Sequence, residues 1–161
     1  MLKQMAHPSF DATCGVCNKL ANDARDAVFQ NELWHVRPID APSGVPGWMM
    51  MVAQRHVAGP AQFDAREIAS FGPTWCHLQR VLLEVTGALR IYTAAMGESS
   101  PHFHGHLVPR YAGMPKAAKG WAVFDLERAA KAGEIMPDLE EVDRVKRAFA
   151  SALEHSPPPV P

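Results

Sequence analysis

Apolar positions along this chain fall into two periods, 2.0 for strands and 3.6 for helices. Cys17, Leu20, Ala21 and Ala24 fit one face of a short helix. Val28–Phe29 and Leu33–Arg37 are β-prone runs on either side of Gln30-Asn31-Glu32, which predicts a hairpin. In the second run Trp34 and Val36 alternate with His35 and Arg37, the pattern of a half-buried strand. Trp48–Ala53 is continuously apolar and predicts a central strand covered on both faces. Ile68, Phe71, Trp75, Leu78, Leu82 and Val85 recur at three and four, an amphipathic stripe. A capping box, Asp64 to Glu67, precedes that stripe and Gly87 follows as a C-cap. Gly72-Pro73 interrupts it, so two helices or one kinked helix are expected, with Pro73 starting the second part.

Leu89–Ala95 is the next strand, and Met96–Pro101 turns it into His102–Val108, an antiparallel pair in which Pro109 ends the pairing. Trp121–Phe124 reads as a short strand. Asp138 to Glu141 forms a second capping box, and Val142, Val145, Phe149 and Leu153 continue it as a helix over about 138–155. Met1–Thr13 is an irregular arm, Asp40–Gly47 a loop of turn formers, and 156–161 a Pro-rich tail expected to be disordered.

Composition narrows the class. At 161 residues, with 47% hydrophobic and 20% charged residues, the chain reads as one domain with no repeat and no linker. A net charge of −1 gives no bulk attraction to nucleic acid or to a membrane surface. No signal peptide or membrane span is visible, so a reducing cytoplasm is expected, with Cys14, Cys17 and Cys76 as thiols or metal ligands. Cys76 sits in the stretch of the helical stripe and reads as a core residue.

The chemistry concentrates in His102-Phe103-His104-Gly105-His106. Period 2 puts three imidazoles on one strand face, each about 6–7 Å from the next, with Phe103, Gly105 and Leu107 turned to the other side. Rings that titrate near neutrality on one rigid face suit nucleophilic catalysis, proton transfer or metal binding. Cys14-Gly15-Val16-Cys17 is a second candidate, since C-x-x-C in a reducing compartment binds metal or serves redox chemistry more often than it forms a disulfide.

His102-Phe103-His104-Gly105-His106-Leu107-Val108 resembles the histidine triad motif, His-φ-His-φ-His-φ-φ with φ apolar, and Pro109-Arg110 matches the pair that commonly follows. The order of the elements around it, roughly Cys14 to Tyr111, is similar to that family's layout. The resemblance implies an α+β fold, a central antiparallel sheet with helices on one face, and a homodimer. It implies a nucleotide hydrolase or transferase, most like the diadenosine-polyphosphate hydrolases such as those acting on diadenosine tetraphosphate, working through a nucleotidyl-histidine. By motif position His104 would be the nucleophile, His106 would hydrogen-bond the phosphate or leaving oxygen, and His102 would hold the array in place. Ser99 has two readings, a turn residue or a contact to phosphate or leaving group. Arg110, Lys116 and Lys119 could add positive charge, the lysines alternatively being a solvated loop.

Some proteins of this family carry a structural zinc on residues corresponding to Cys14, Cys17, His56 and a histidine at or near His102; the other reading is two buried thiols. Gly105 stands where the family has an apolar residue, so a helix is expected close behind that strand. Glu98 stands where a glutamine is common, and a carboxylate there must point away from a phosphate or meet a cation. A non-catalytic nucleotide-binding module and a metal-dependent enzyme using His102, His104 and His106 as ligands are the alternatives.

Overall fold

The structure is a computed structural model, and it describes residues 7–22, 26–40 and 42–159. Residues 1–6 of the expected arm, Ala24 of the expected helical face, Ala41 of the loop and 160–161 of the tail lie outside the described residues. Four helices, α1 (Gly15–Asn22), α2 (Ala65–Thr86), α3 (Val123–Lys131) and α4 (Leu139–His155), accompany five strands. The strands are β1 (Phe29–Gln30), β2 (Trp34–Pro38), β3 (Met49–Ala53), β4 (Arg90–Ala94) and β5 (His104–Arg110), ordered β1-β2-β3-β5-β4 and antiparallel throughout. The class is α+β, as expected. No helix among the described residues is long and apolar enough to cross a membrane.

Local chemistry sets most element ends. Asn31 Oδ1 accepts the backbone N–H groups of Leu33 and Trp34 at 3.0 and 2.8 Å, closing the β1–β2 turn. Asp64 and Glu67 form the full capping box, and Gly87 ends α2 in the left-handed region at φ 62. Asp138 caps α4 by accepting from the N–H of Glu141, but the Glu141 carboxylate pairs with Arg144, so the second box is only half made.

One sheet face is the core. Trp34, Val36, Met49, Met51, Ala53, Phe103 and Leu107 pack under Leu78 and Leu82 of α2 and Phe149 and Leu153 of α4. Leu78 and Leu82 of the α2 stripe are thus covered within the chain, whereas Phe71, Trp75 and Val85 are only partly buried and Ile68 is exposed. α2 is one continuous helix with Pro73 inside it, because both halves bury the same stripe in one core. Cys76 lies off that stripe and is exposed, not in the core. Behind the histidine strand, a Cβ built on Gly105 would lie 2.5 Å from Trp75 Cη2, so the close helix expected from this glycine is the one observed.

Four further expectations change. His35 and Arg37 are buried (2% and 7% exposed), so β2 is covered on both faces, not half-buried. Pro109 lies inside β5 opposite Ile91, and the pairing that stops is the one to β3, whose last partner is Leu107. Its missing N–H therefore costs no ladder bond. Trp121–Phe124 is not a strand; a 3-10 turn (Gly120–Ala122) leads into α3. The Pro-rich tail is held as far as Pro159: His77 Nε2 donates to the carbonyl of Ser156 at 2.7 Å, and Pro158 is buried.

Candidate active site and metal centre

The second sheet face forms the floor of a cleft of about 420 Å3, within the range of small-molecule sites. Cross-strand register sets this face in rows, His35, Val52 and His104 in one and Arg37, Met50 and His106 in the next, and all of these but His35 line the cleft. Val16 of α1, the Gly97–Ser100 loop and Phe124, Glu127 and Lys131 of α3 wall it. His104 and His106 face the cleft with ring centroids 5.7 Å apart. His102, two residues before the strand begins, turns its ring elsewhere.

Hydrogen bonds fix the tautomers. His104 Nδ1 lies 2.7 Å from the carbonyl of His102, and a carbonyl only accepts. In the neutral ring the proton is therefore on Nδ1, which leaves the Nε2 lone pair free. His106 Nδ1 accepts from the indole N–H of Trp48 at 3.1 Å, and an indole only donates. Its proton is on Nε2. One ring offers the cleft a lone pair and its neighbour offers an N–H. Burial, with the nearby His104 and Arg37, lowers the His106 pKa to about 4, so that ring stays neutral in ordinary buffers. Phe124 and Trp48 pack edge-on against His106 at centroid distances of 5.4 and 5.8 Å and keep it dry.

Charge in the cleft is mixed. Asp40, Glu98 and Glu127 line it together with Arg37 and Lys131. Asp40 is held by Lys19 and Arg37, and Glu127 by Lys131. Those hydrogen bonds hold the Asp40 carboxyl below its usual range, against the opposing effect of its burial. Ser99 lines the cleft. Arg110 does not: its guanidinium donates to the carbonyls of Tyr111, Met114 and Pro115 and fastens that loop. Lys116 and Lys119 are exposed and outside the cleft. Trp48, Arg37, Asp40 and the α3 wall were not singled out from sequence. Strand parity reaches two of them: Trp48, two residues before Met50 and so on the same face of β3, and Arg37, on the face of β2 opposite Trp34 and Val36.

On the far side of His102 lies a second constellation. The ligand atoms of Cys14, Cys17, His56 and His102 all lie within 4.8 Å of one another. His102 Nδ1 is 3.7 Å from Cys14 Sγ and 3.4 Å from Cys17 Sγ, and His56 Nδ1 is 3.3 Å from Cys17 Sγ. A tetrahedral zinc with ordinary Zn–S and Zn–N bonds sets sulfur and nitrogen about 3.6 Å apart. The donor set and its spacing therefore fit zinc. His102 Nε2 donates to the carbonyl of Ala53 at 2.7 Å, which leaves Nδ1 as the lone pair facing the sulfurs. Asp11 lies 3.9 Å behind His56 Nε2 and can orient that ring in the same way. Burial pushes the Cys17 thiol up and His102 down, so both are neutral until a cation draws the thiol proton off. His56 is delivered by Arg55, whose guanidinium clasps the buried Glu67 at 2.6 and 3.0 Å. Among the described residues the three motif imidazoles do not converge on one ligand set.

No protein-family model matches the chain, and no curated protein matches it in sequence. Solved structures do. A Hit-like protein involved in cell-cycle regulation from Bartonella henselae superposes with a TM-score of 0.61 at 14% identity, over 89% of this chain and 98% of that one. A Zn-bound histidine triad family protein from Mycobacterium smegmatis gives 0.61 at 20% identity, over 89% and 97%. The Plasmodium falciparum diadenosine triphosphate hydrolase gives 0.58 at 12% identity, over 97% and 91%. All three align over nearly their full length with a chain whose own motif lies on the cleft floor. The chain has the histidine triad fold.

Proposed function

We propose that this protein is a nucleotidyl hydrolase or transferase acting at the α-phosphate of a nucleotide, a dinucleoside polyphosphate being the substrate class that fits best. The observation that carries this is the complementary pair of tautomers: a free lone pair on His104 Nε2 beside an N–H on His106 Nε2. His104 Nε2 attacks phosphorus, forming a P–N bond while the P–O bond to the leaving phosphate breaks and its electron pair leaves with that oxygen. His106 donates a hydrogen bond to the oxygen on which charge grows. Because its Nδ1 is taken by Trp48, His106 supplies no proton in this state, so the site suits leaving groups that depart as anions, as a phosphate does. Water then attacks the nucleotidyl-histidine, the P–N pair returns to Nε2, and the water proton passes to solvent.

Cys14, Cys17, His56 and His102 would hold one zinc, whose role is structural: it ties α1 to the end of β3 and contributes folding energy. The ligands are reduced thiolates, which suits a reducing compartment such as the cytoplasm. A homodimer, as the resemblance implies, could use the exposed part of the α2 stripe at Ile68.

Mass spectrometry of protein quenched during turnover of a dinucleoside tetraphosphate tests the reading. A nucleotidyl adduct on His104 is expected, and His104→Ala should lose several orders of magnitude in rate while still binding mononucleotide. Tight nucleotide binding with no adduct and no release of mononucleotide would make the protein a binding module instead.

A further inference from the structure

The floor of the cleft continues past the histidines to a cation that the chemistry above does not use. Arg37 lies opposite Met50, and Met50 opposite His106, so its backbone is two strands, about 10 Å, from the histidine strand. The side chain is almost wholly buried. Nη1 donates to the carbonyl of Pro38 at 3.1 Å and to Asp40 Oδ1 at 2.9 Å, which ties the head toward the end of its own strand. Nε and Nη2 have no partner among the described residues. The stem is buried while this donor edge stays open to the cleft, where it can take two adjacent acceptors side by side.

The surroundings say what carries those acceptors. On this side the cleft is walled by Val16, Ile39, Met50 and Val52, apolar surfaces suited to the faces of a flat ring. A phosphate has its donors at the other end, in His106 Nε2–H and the hydroxyls of Ser99 and Ser100. We propose that Arg37 reads the nucleobase: Nε–H and Nη2–H donate to two neighbouring acceptors on a purine edge, so the cleft prefers guanine to adenine. Guanine presents O6 and N7 to such a fork, whereas adenine turns an N6 amino donor toward a donor. A site built to make that pair rejects the base that cannot complete it, because the buried donors are then left unmatched. The inference rests on the nucleotide reading and names the base that reading leaves open.

Calorimetric titration of the full chain, purified with its metal, with GMP, AMP and inorganic pyrophosphate tests it. Wild type should favour GMP over AMP about tenfold or more. Arg37→Lys keeps a cation for Asp40 but lacks the fork; it should bring the ratio to within about twofold, with the loss falling on GMP. Arg37→Gln should move preference toward AMP, since a glutamine amide matches adenine. Thermal melts of both variants confirm that folded protein is compared. Equal wild-type affinities for GMP and AMP overturn the inference and leave the nucleotide site standing, as does a preference that survives in Arg37→Lys. Equal weakening of GMP, AMP and pyrophosphate in Arg37→Lys also overturns it, because the fork then holds phosphate. If the wild type binds none of the three, the nucleotide reading falls and this inference with it.

Discussion

Gly105 separates the two cleft histidines, and replacing it with alanine is a sharp test of how the site is supported. A Cβ there would lie 2.5 and 2.8 Å from Trp75 Cη2 and Cζ3 and 3.2 Å from Phe103 Cζ. Ordinary carbon contacts begin near 3.5 Å, so the indole must move by about 1 Å or the strand must lift. Trp75 cannot slide freely, since it stacks on Phe71 with centroids 5.6 Å apart, and Phe71 packs on Trp34 and Phe103. Over-packing of this kind costs about 1–3 kcal/mol, against about 0.5–1 kcal/mol recovered because glycine is unfavourable within regular structure. A net loss of roughly 1–2 kcal/mol lowers the melting temperature by about 2–8 °C in a chain of this size. The assay is urea unfolding followed by circular dichroism for wild type, Gly105→Ala, Trp75→Leu and the double variant. The two changes should couple by about 1 kcal/mol or more, with Trp75→Leu relieving Gly105→Ala. Additive effects, or a Gly105→Ala protein as stable as wild type, would refute the account of this glycine.

Acid should destabilise the fold through buried neutral histidines. Burial lowers His35 and His106 to about 4, below the unfolded value of about 6.5, so from pH 6.5 down to 4 the unfolded chain binds protons that the fold refuses. Each ring should cost about 2 kcal/mol between pH 7 and pH 5, and His35→Leu should remove one such share from the pH dependence of the urea midpoint; an unchanged slope would count against it. Elemental analysis of protein purified without chelator should give one zinc per chain; Cys14→Ser should lose it and lower the melting temperature, and a metal-free wild type would remove the site. Trp48→Phe deletes the donor that fixes His106, so turnover should fall about tenfold and its acid limb move to higher pH; an unchanged pH profile would show that the indole bond does not set the tautomer.

What the sequence made legible was chemistry that acts over a few residues. Asn31 closes its own turn, Asp64 and Glu67 satisfy each other across one helical turn, and period 2 puts His104 and His106 on one face whatever surrounds them. What it hid was settled by distant partners. Strand parity put Arg37 on the histidine face, but could not say that α1 and the loop after β2 would bury it. Trp121–Phe124 has the look of a strand, yet Phe124 is drawn into a helix by packing on Trp48, 76 residues away by number, with centroids 5.0 Å apart. Pro73 does not end the helix, because the residues before and after it bury their stripe in the same core. The motif places Arg110 at the end of the strand, but where its five donors point depends on the path of the Tyr111–Pro115 loop.

His102 is where the two sites become one. Its ring belongs to the metal tetrad, with Nδ1 toward the two sulfurs and Nε2–H on the carbonyl of Ala53. Its backbone belongs to the proposed catalytic pair, because the His102 carbonyl is what holds His104 Nδ1–H and, in the neutral ring, leaves Nε2 free. A ring fixed at both nitrogens fixes the orientation of its own peptide, and that peptide sets the tautomer of the proposed nucleophile. α1 makes the same connection a second way. It carries Cys17 to the tetrad, Val16 to the cleft wall and Lys19 to Asp40, which in turn tethers Arg37. The first histidine of the motif therefore need not touch a substrate to matter for the reaction. In the proposed reaction it would act as a positioning residue through one carbonyl oxygen, with the tetrad keeping that oxygen in place.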